Sequence, residues 1–247
     1  MKYFINTFLI LLFFITFIQS SGLSSQEINE IRYEIEYMKT ILKLKNTEEI
    51  FTSYLEDEII KDFEKSLKDI KENKYYNEKA YEISELASKW GEELRKRYNE
   101  IIVDSIVVDL SENMSYWYNN LGSNYTSFWT HESKLVYKTD VAIGDEEIGR
   151  GTKIDTYIIG EKVLEPEILW KQRNLKMPYG HLVNSFGARK LDLWKDGEYT
   201  LYTCHGTNAI SSIGKHISLG CIRFHNIDVL VLYELVEENE TVVVVKE

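Results

Sequence analysis

The sequence predicts an α+β protein in which a helical segment precedes a mostly antiparallel β-sandwich or barrel with one late helix. Residues 23–100 are rich in Glu, Lys, Ile and Leu and contain no proline, whereas β-branched runs begin at about residue 101. Short strands then follow at nearly regular spacing and are interrupted late by one helical pattern. We therefore divide the chain into residues 1–22, 23–100 and 101–247.

The composition is that of a folded protein without a nucleic-acid partner. Among the 247 residues, 44% are hydrophobic and 13% aromatic, which is enough to bury a core. The formal net charge of −11 opposes binding to a phosphate backbone, which needs a basic surface. The two cysteines, Cys204 and Cys221, lie close together in the chain, so a disulfide framework is not expected.

Residues 1–22 have the pattern of an export signal. Lys2 supplies a positive charge, an apolar run extends from Phe8 to Ile18, and small residues suited to cleavage follow at 20–22. The apolar run also borders on the length that spans a bilayer, so an uncleaved N-terminal anchor is the alternative. In both cases we expect the rest of the chain to be exported, to the periplasm or the cell envelope.

Amphipathic helices account for the next segment. Ser24 and Glu27 fit a capping box. Apolar residues then recur every three or four positions, at Ile28, Ile31, Ile35, Met38 and Leu42. Thr47 is a candidate cap for a second helix, and a third is marked by Ile83, Leu86, Trp90 and Leu94. We expect a helical hairpin or small bundle that packs on the β domain and carries no chemistry.

β-branched and aromatic runs predict the strands of the second part. They lie at 101–103, 106–110, 114–118, 135–143, 155–159, 199–203 and 241–245. Asn226 is a candidate cap for the late helix, which is expected to run through Val229, Leu232, Leu235 and Val236. Residues 164–180 hold both prolines and, between them, the basic residues Lys171, Arg173 and Lys176. They fit either a substrate-facing lid or an ordinary long loop with solvated charges.

The residues suited to catalysis are concentrated between His205 and Arg223. The thiol of Cys221 is the candidate nucleophile, and Gly220 permits close approach of the backbone. His205 lies 16 positions earlier (221 − 205) and is the candidate base if the two segments pack side by side. Backbone N–H groups at Gly220 and Cys221 can hold an oxyanion. Arg223 can favour the thiolate or bind a substrate carboxylate.

The same stretch resembles the signature of the YkuD-type L,D-transpeptidases. The matching segments are 205–208 (His-Gly-Thr-Asn), 212–214 (Ser-Ile-Gly) and 218–223 (Ser-Leu-Gly-Cys-Ile-Arg). The resemblance extends over roughly residues 101–247 and not over residues 23–100. It implies that Cys221 is the nucleophile and His205 the base, with the Gly206 carbonyl orienting the imidazole. Three further residues would hold the oxyanion, bind substrate or fix the loop: Gly220, Arg223 and Ser218.

The substrates implied by the resemblance are peptidoglycan stem peptides. Cys221 would attack the carbonyl of the L-centre of a diamino acid at the third stem position and expel the terminal D-alanine. The thioester would then pass to the side-chain amine of a second stem, giving a 3→3 cross-link, to a lysine of a wall-anchored protein, or to water. No metal or organic cofactor is needed, because the thioester divides one hard acyl transfer into two easier steps.

Two positions depart from the family pattern. Leu219 stands where histidine is frequent, and residues 152–155 (Thr-Lys-Ile-Asp) replace a Thr-Pro-x-Gly turn. The second departure concerns the substrate-side loop, so the resemblance does not decide the acceptor. A carboxypeptidase or hydrolase of the same stems and a non-catalytic wall-binding module are therefore alternatives.

Other classes explain the residues less well. Cys204 neighbours His205 on a predicted strand, so we expect it to face the core as a buried thiol. His216 and His225 are expected to be surface or loop-stabilising residues. A metal site would use these four and Cys221, but no Cys-x-x-Cys or His-x-x-x-His spacing is present. A papain-like protease would have its cysteine before its histidine, the reverse of this order.

Overall fold

The computed structural model describes most of the chain. It covers residues 23–47, 78–99, 101–119, 134–171, 174–181 and 184–247. Three expected features lie outside these residues: the signal or anchor at 1–22, the helix beyond Thr47, and Arg173 among the basic residues of 164–180. No helix in the described ranges is long and apolar enough to cross a membrane.

The described residues form three α-helices and eleven strands. In chain order these are α1 Ser25–Leu44, α2 Glu78–Tyr98, β1 Ser105–Asp109, β2 Met114–Asn119, β3 Lys134–Gly144, β4 Asp155–Leu164, β5 Ile168–Trp170, β6 Leu175–Met177, β7 Arg189–Lys195, β8 Glu198–His205, β9 His216–Ser218, β10 Ile222–Phe224, α3 Asn226–Leu235 and β11 Val242–Lys246. The predicted fold class is confirmed.

The first helix, α1, begins as its sequence predicts. The Ser24 hydroxyl accepts the N–H of Glu27 at 3.2 Å, and the Glu27 carboxylate accepts the N–H of Ser24 at 2.6 Å. This reciprocal pair is the predicted capping box. The five apolar residues expected on the inner face of α1 are all buried.

The second helix, α2, is the predicted helix through Ile83 and Leu94, both of which are buried. Gly91 lies where α2 meets α3. A Cβ at this position would stand 2.5 Å from the side chain of Glu234. Glycine therefore allows the two helices to pack closely, despite its low helix propensity.

The strands close into a barrel. Their order is β10-β8-β7-β4-β11-β1-β2-β3, and β10 returns to pair with β3. The pairs β1–β11 and β8–β10 are parallel, and the other pairs around the barrel are antiparallel. The short strand β9 adds to β3 in parallel. Closure removes the exposed edges that an open sheet would have.

The helices and the barrel share one hydrophobic core. Buried side chains of α1, α2, α3 and the barrel strands form a single cluster. Polar contacts support the junction, since Arg32 of α1 donates to the Val136 carbonyl of β3 at 3.0 Å. Lys39 of α1 pairs with Asp228 of α3 at 2.6 Å. The helical segment therefore packs on the β domain, as predicted.

Two predictions about local structure are corrected. Residues 101–103 are not a strand, because the Val103 N–H donates to the Leu235 carbonyl of α3 at 3.0 Å and its carbonyl accepts from Thr241 at 3.0 Å. Residues 164–180 are not a plain loop, because they contain the antiparallel pair β5–β6. Lys176 of this pair is bound to Glu167 at 2.9 Å.

Candidate active site

Strands β7, β8 and β10 lie side by side and bring the predicted site residues together. His205 of β8 is paired with Lys190 of β7 on one side and with Arg223 of β10 on the other. Paired residues on neighbouring strands project from the same face of a sheet. The imidazole therefore lies between two cationic side chains, in a row that we call the basic row.

A second row lies two residues away along the same strands. Asp192 of β7 is paired with Thr203 of β8. Ile222 of β10 is paired with Cys204 of β8 in parallel register, and Cys221 is the residue just before Ile222. Alternation along the strand therefore puts Cys221 beside Thr203 and on the same face as the basic row. The candidate nucleophile and base are thus diagonal neighbours on adjacent strands.

The opposite face of these strands belongs to the core. Cys204, Ile222 and Leu191 have no exposed surface and are part of the hydrophobic cluster. Burial also raises the pKa of the Cys204 thiol, which keeps it protonated and unreactive. The prediction that Cys204 is a core thiol is confirmed.

A hydrogen bond to a carbonyl orients the His205 ring. Nδ1 is bound to the carbonyl oxygen of Gly206, the contact that the family resemblance implies. A carbonyl can only accept, so Nδ1 carries the proton and Nε2 keeps the lone pair of a base. The ring of Phe186 meets the imidazole edge to face, with 5.0 Å between the ring centroids.

The His205 imidazole is neutral in the folded protein. Burial and the charge of Arg223 lower its pKa to about 4, although backbone hydrogen bonds at Gly206 and Ser185 act in the opposite direction. A neutral imidazole is the form that can take a proton from a thiol. Burial, helped by the charges of the basic row, therefore keeps the candidate base unprotonated at neutral pH.

The lowered pKa of His205 makes folding sensitive to acid. The unfolded chain binds a proton here below the ordinary pKa of 6.5, whereas the folded protein does so only near 4. Between pH 6.5 and pH 4 the unfolded chain therefore binds more protons at His205 than the folded protein does. The free energy of unfolding is unaffected by this difference above pH 6.5 and decreases as the pH falls towards 4.

Between pH 7 and pH 5 we expect the free energy of unfolding to decrease by about 2 kcal/mol less in His205→Gln than in the unaltered protein, because glutamine does not titrate. Urea titrations of both proteins at the two pH values measure the difference. An identical pH dependence of the unfolding free energy in the two proteins would contradict a buried neutral imidazole.

Asn226 holds the loop that follows β8. Its side chain accepts the N–H of Thr207 at 3.0 Å and donates to the Thr207 carbonyl at 2.7 Å. The prediction that Asn226 caps the late helix is wrong, because His225 occupies the cap position and the Asn226 amide is turned to Thr207. A Cβ on Gly206 would stand 2.2 Å from Oδ1 of Asn226, and one on Gly187 would stand 2.4 Å from it.

Ser218 and Thr152 fix the turn that carries Cys221. The Ser218 hydroxyl accepts the N–H of Gly220 at 3.1 Å and donates to the Cys221 carbonyl. The Thr152 hydroxyl donates to the Gly220 carbonyl at 2.9 Å. Gly220 has a φ of +113°, and a Cβ there would stand 2.6 Å from the ring of Tyr202. Only glycine fits this turn without strain.

These contacts change the expected oxyanion site. The N–H of Gly220 was one of two predicted donors, but it is bound to Ser218 in this structure. Of the two predicted donors, the Cys221 N–H is therefore the remaining candidate for the oxyanion. Thr152 belongs to the segment that departs from the family pattern, yet its hydroxyl supports the turn directly.

The Cys221 side chain is a neutral thiol at rest. Burial raises its pKa above the ordinary 9.0, and this outweighs a backbone hydrogen bond from Thr203 and the charge of Arg223. His205 is also neutral, so the site holds a thiol and an imidazole rather than a preformed ion pair.

Alkylation of Cys221 is expected to report this state. Because only the thiolate reacts, the rate with iodoacetamide should rise with pH through a midpoint above 9.0, without a plateau near neutrality. Intact-mass measurements between pH 6 and pH 10.5 give the rates. Cys204→Ala should keep the adduct and Cys221→Ala should lose it. A plateau already reached below pH 7 would contradict the prediction.

The other polar residues of the stretch lie at its margin. His216 is exposed, and Nε2 of His225 lies 3.4 Å from the carboxylate of Asp140. Leu219 is 70% exposed, so the side chain at this departure from the family pattern projects into solvent. Within the described ranges, no three His, Cys, Asp or Glu side chains are arranged to hold a metal ion.

Four residues of the site were not predicted from the sequence: Lys190, Asp192, Thr203 and Thr152. Lys190 and Asp192 alternate with Leu191 and Leu193, and this two-residue period is the signal that could have placed both polar side chains on one face of a strand. Their contact with the site depends on the pairing of β7 with β8.

Comparison with known proteins identifies the class of this protein. A family model described as the L,D-transpeptidase catalytic domain, YkuD, matches residues 104–245, which is more than half of the chain. Residues 104–245 therefore form a domain of the L,D-transpeptidase class. Within that class, the chain belongs to the YkuD family.

Relatives and solved structures of this class are similar to parts of this chain. A putative L,D-transpeptidase YkuD of Bacillus licheniformis is 55% identical over 51 residues, 21% of this chain and 28% of that protein. Its namesake in Bacillus subtilis strain 168 is 42% identical over 77 residues, 31% of this chain and 40% of that protein. The chain thus matches less than half the length of either relative. A solved L,D-transpeptidase from Mycobacterium smegmatis has 14% identity and a TM-score of 0.40, with 58% of each chain covered.

Proposed function

We propose that this protein is an L,D-transpeptidase that acts on peptidoglycan stem peptides through a thioester on Cys221. The observation that carries the proposal is the position of Cys221 diagonal to His205 on the adjacent strand, with Nδ1 of His205 bound to the Gly206 carbonyl. Nε2 is thereby left as the base for a thiol on the same face. Membership of the YkuD family supports the same chemistry.

The first half-reaction forms the thioester. Nε2 of His205 takes the thiol proton as the Cys221 sulfur attacks the carbonyl of the L-centre of the diamino acid at the third stem position. The Cys221 N–H donates to the resulting oxyanion. When the tetrahedral intermediate collapses, the bond to the terminal D-alanine breaks, and the amine leaves with the proton held by His205.

The second half-reaction transfers the acyl group. His205 removes a proton from the side-chain amine of a second stem, the amine attacks the thioester carbonyl, and the Cys221 thiol leaves. The product is a 3→3 cross-link. A lysine of a wall-anchored protein or water can take the place of the amine, and with water the activity is that of an L,D-carboxypeptidase. Neither half-reaction calls for a metal or an organic cofactor.

The substrate class implies that the protein works outside the cytoplasm. The pattern of residues 1–22 supports export, with the segment acting as a cleaved signal or as an N-terminal anchor. The proposed location is the periplasm or the cell envelope. N-terminal sequencing of the protein recovered from the envelope distinguishes cleavage from anchoring.

The intact mass of the protein after incubation with tetrapeptide stems tests the thioester. The expected result is a tripeptide acyl adduct on Cys221 and release of D-alanine in equal amount. Cys221→Ala should give neither product, whereas Cys204→Ala, which alters only the buried thiol, should give both. Absence of adduct and of D-alanine, with the Cys221 thiol shown to be free, would rule out the transpeptidase and favour a wall-binding module.

The same incubation, with its products separated, identifies the acceptor. A cross-linked dimer of stems is expected for the transpeptidase. A tripeptide without any dimer, even at high stem concentration, would instead assign the protein as a carboxypeptidase. The substitution of the family turn at residues 152–155 makes this comparison necessary, because that segment lies next to the turn of Cys221.

A further inference from the structure

Asp192 presents a buried carboxylate oxygen on the face that carries Cys221. Its side chain is 6% exposed, and Oδ2 accepts a hydrogen bond from Nζ of Lys190 at 2.8 Å. Oδ1 is buried and has no hydrogen-bond partner among the described residues. A buried carboxylate oxygen without a donor is costly. Such an atom in a candidate active site calls for an explanation in terms of what the site binds.

The neighbours of Asp192 do not supply the missing donor. Lys190 is held near the rings of Phe186 and Tyr199, at 5.8 Å and 6.0 Å from their centroids, while it binds the other oxygen. Thr203, the partner of Asp192 on β8, donates its hydroxyl to the Leu191 carbonyl at 2.9 Å. The position facing Oδ1 is therefore left to a donor from outside the described residues.

The charge of Asp192 acts on the candidate nucleophile. Burial is the largest cause of the raised pKa of the Cys221 thiol, and the negative charge of Asp192 also raises it. Together with burial, the same charge raises the pKa of Tyr199 to about 12. The Asp192 carboxylate therefore lies close enough to Cys221 to influence the thiol electrostatically, although β8 lies between their strands.

We propose that Oδ1 of Asp192 binds the side-chain ammonium of the diamino acid in the donor stem. This inference rests on the proposed function and names a group of the substrate that the site selects. An ammonium offers the N–H donors that Oδ1 lacks and carries the opposite charge. Asp192 is a substrate-binding residue in this scheme and takes no part in the proton transfers.

Distance assigns this ammonium to the donor rather than to the acceptor. Asp192 on β7 and Cys221 beside β10 are separated by β8, so their backbones lie about 10 Å apart. An attacking amine must come within roughly 3.5 Å of the thioester carbonyl and must be uncharged. The side chain of the donor, roughly 7 Å long when extended, can instead cross β8 from the reacting carbonyl to Asp192.

Acylation kinetics with two matched donor stems test the proposal. One stem has a free side-chain amine, and the other carries an acetyl group on that amine. For the unaltered protein, kcat/KM for D-alanine release should be about 10-fold or more higher with the free amine. Asp192→Asn should reduce this preference at least about fivefold, because the loss in kcat/KM should fall mainly on the stem with the free amine.

A matched variant separates binding from folding. Asp109 is also buried and bound to a lysine, Lys246, but lies at the end of β1, away from the site strands. Asp109→Asn should keep the full preference for the free amine. An equal loss with both stems in Asp192→Asn would overturn the proposal in favour of a structural role.

Two further results separate this inference from the proposed function. An unchanged preference in Asp192→Asn, or equal rates with both stems in the unaltered protein, would overturn the role of Asp192 and leave the transpeptidase intact. Failure of both stems to acylate the unaltered protein would contradict the proposed function itself.

Discussion

Replacing His205 with glutamine is expected to slow the acylation of Cys221 by roughly 10²- to 10⁴-fold at pH 7. Glutamine can still donate a hydrogen bond to the Gly206 carbonyl, the contact that Nδ1 makes, but it cannot take a proton. Because burial raises the pKa of the Cys221 thiol, little thiolate forms without a base. The loss should shrink at high pH, where hydroxide supplies the thiolate.

The rate of D-alanine release from tetrapeptide stems between pH 6 and pH 10 measures this effect. His216→Gln is the matched control, because His216 is exposed at the start of β9, and its rate should stay within about twofold. If His205→Gln kept the original rate at pH 7, another group would have to be the base, and the role assigned to His205 would be refuted.

Replacing Arg189 with methionine is expected to lower the free energy of unfolding by about 3–5 kcal/mol. The guanidinium is fully buried and joins α2 to β7. It donates to the hydroxyl and the carbonyl of Ser84 at 2.7 Å and 3.0 Å, and to the hydroxyl of Ser88 at 3.0 Å. It also lies 3.6 Å from the carboxylate of Glu234. Methionine would leave that buried carboxylate without this cation.

Urea titration at pH 7 measures the loss. Arg97→Met is the matched control, because Arg97 is 59% exposed and pairs with Glu34 at 2.8 Å, so its removal should cost less than about 1 kcal/mol. The double change Arg189→Met with Glu234→Met should recover part of the stability by removing the stranded charge. A cost below about 1 kcal/mol for Arg189→Met would show that α2 is held on the barrel by other contacts.

The longer elements could be predicted because their signals lie within a few positions of the chain. The capping box of Ser24 and Glu27 and the spacing of apolar residues identified α1. β-branched runs identified strands such as β1 and β11. The run at 101–103 has the same composition but no strand partner, because Val103 is bonded to Leu235 and Thr241.

The shortest strands could not be predicted, because their pairing partners are distant in the chain. β10 has three residues, and it closes the barrel by pairing Ile222 with Cys204 on one side and Phe224 with Val141 on the other. No property of three residues defines such partners. The side-chain amide of Asn226 likewise fits a helix cap locally, but the approach of Gly206 and Thr207 directs it elsewhere.

The sequence by itself determined the family signature, the order of the candidate base and nucleophile, and the burial of Cys204, because residue type and strand alternation are local properties. Only the tertiary structure decided that Ser218 occupies the Gly220 N–H and that Thr152 supports the same turn. It alone also placed Asp192 in the row of Cys221. The reason is physical: these contacts depend on the register between strands, and register is set when the whole barrel closes.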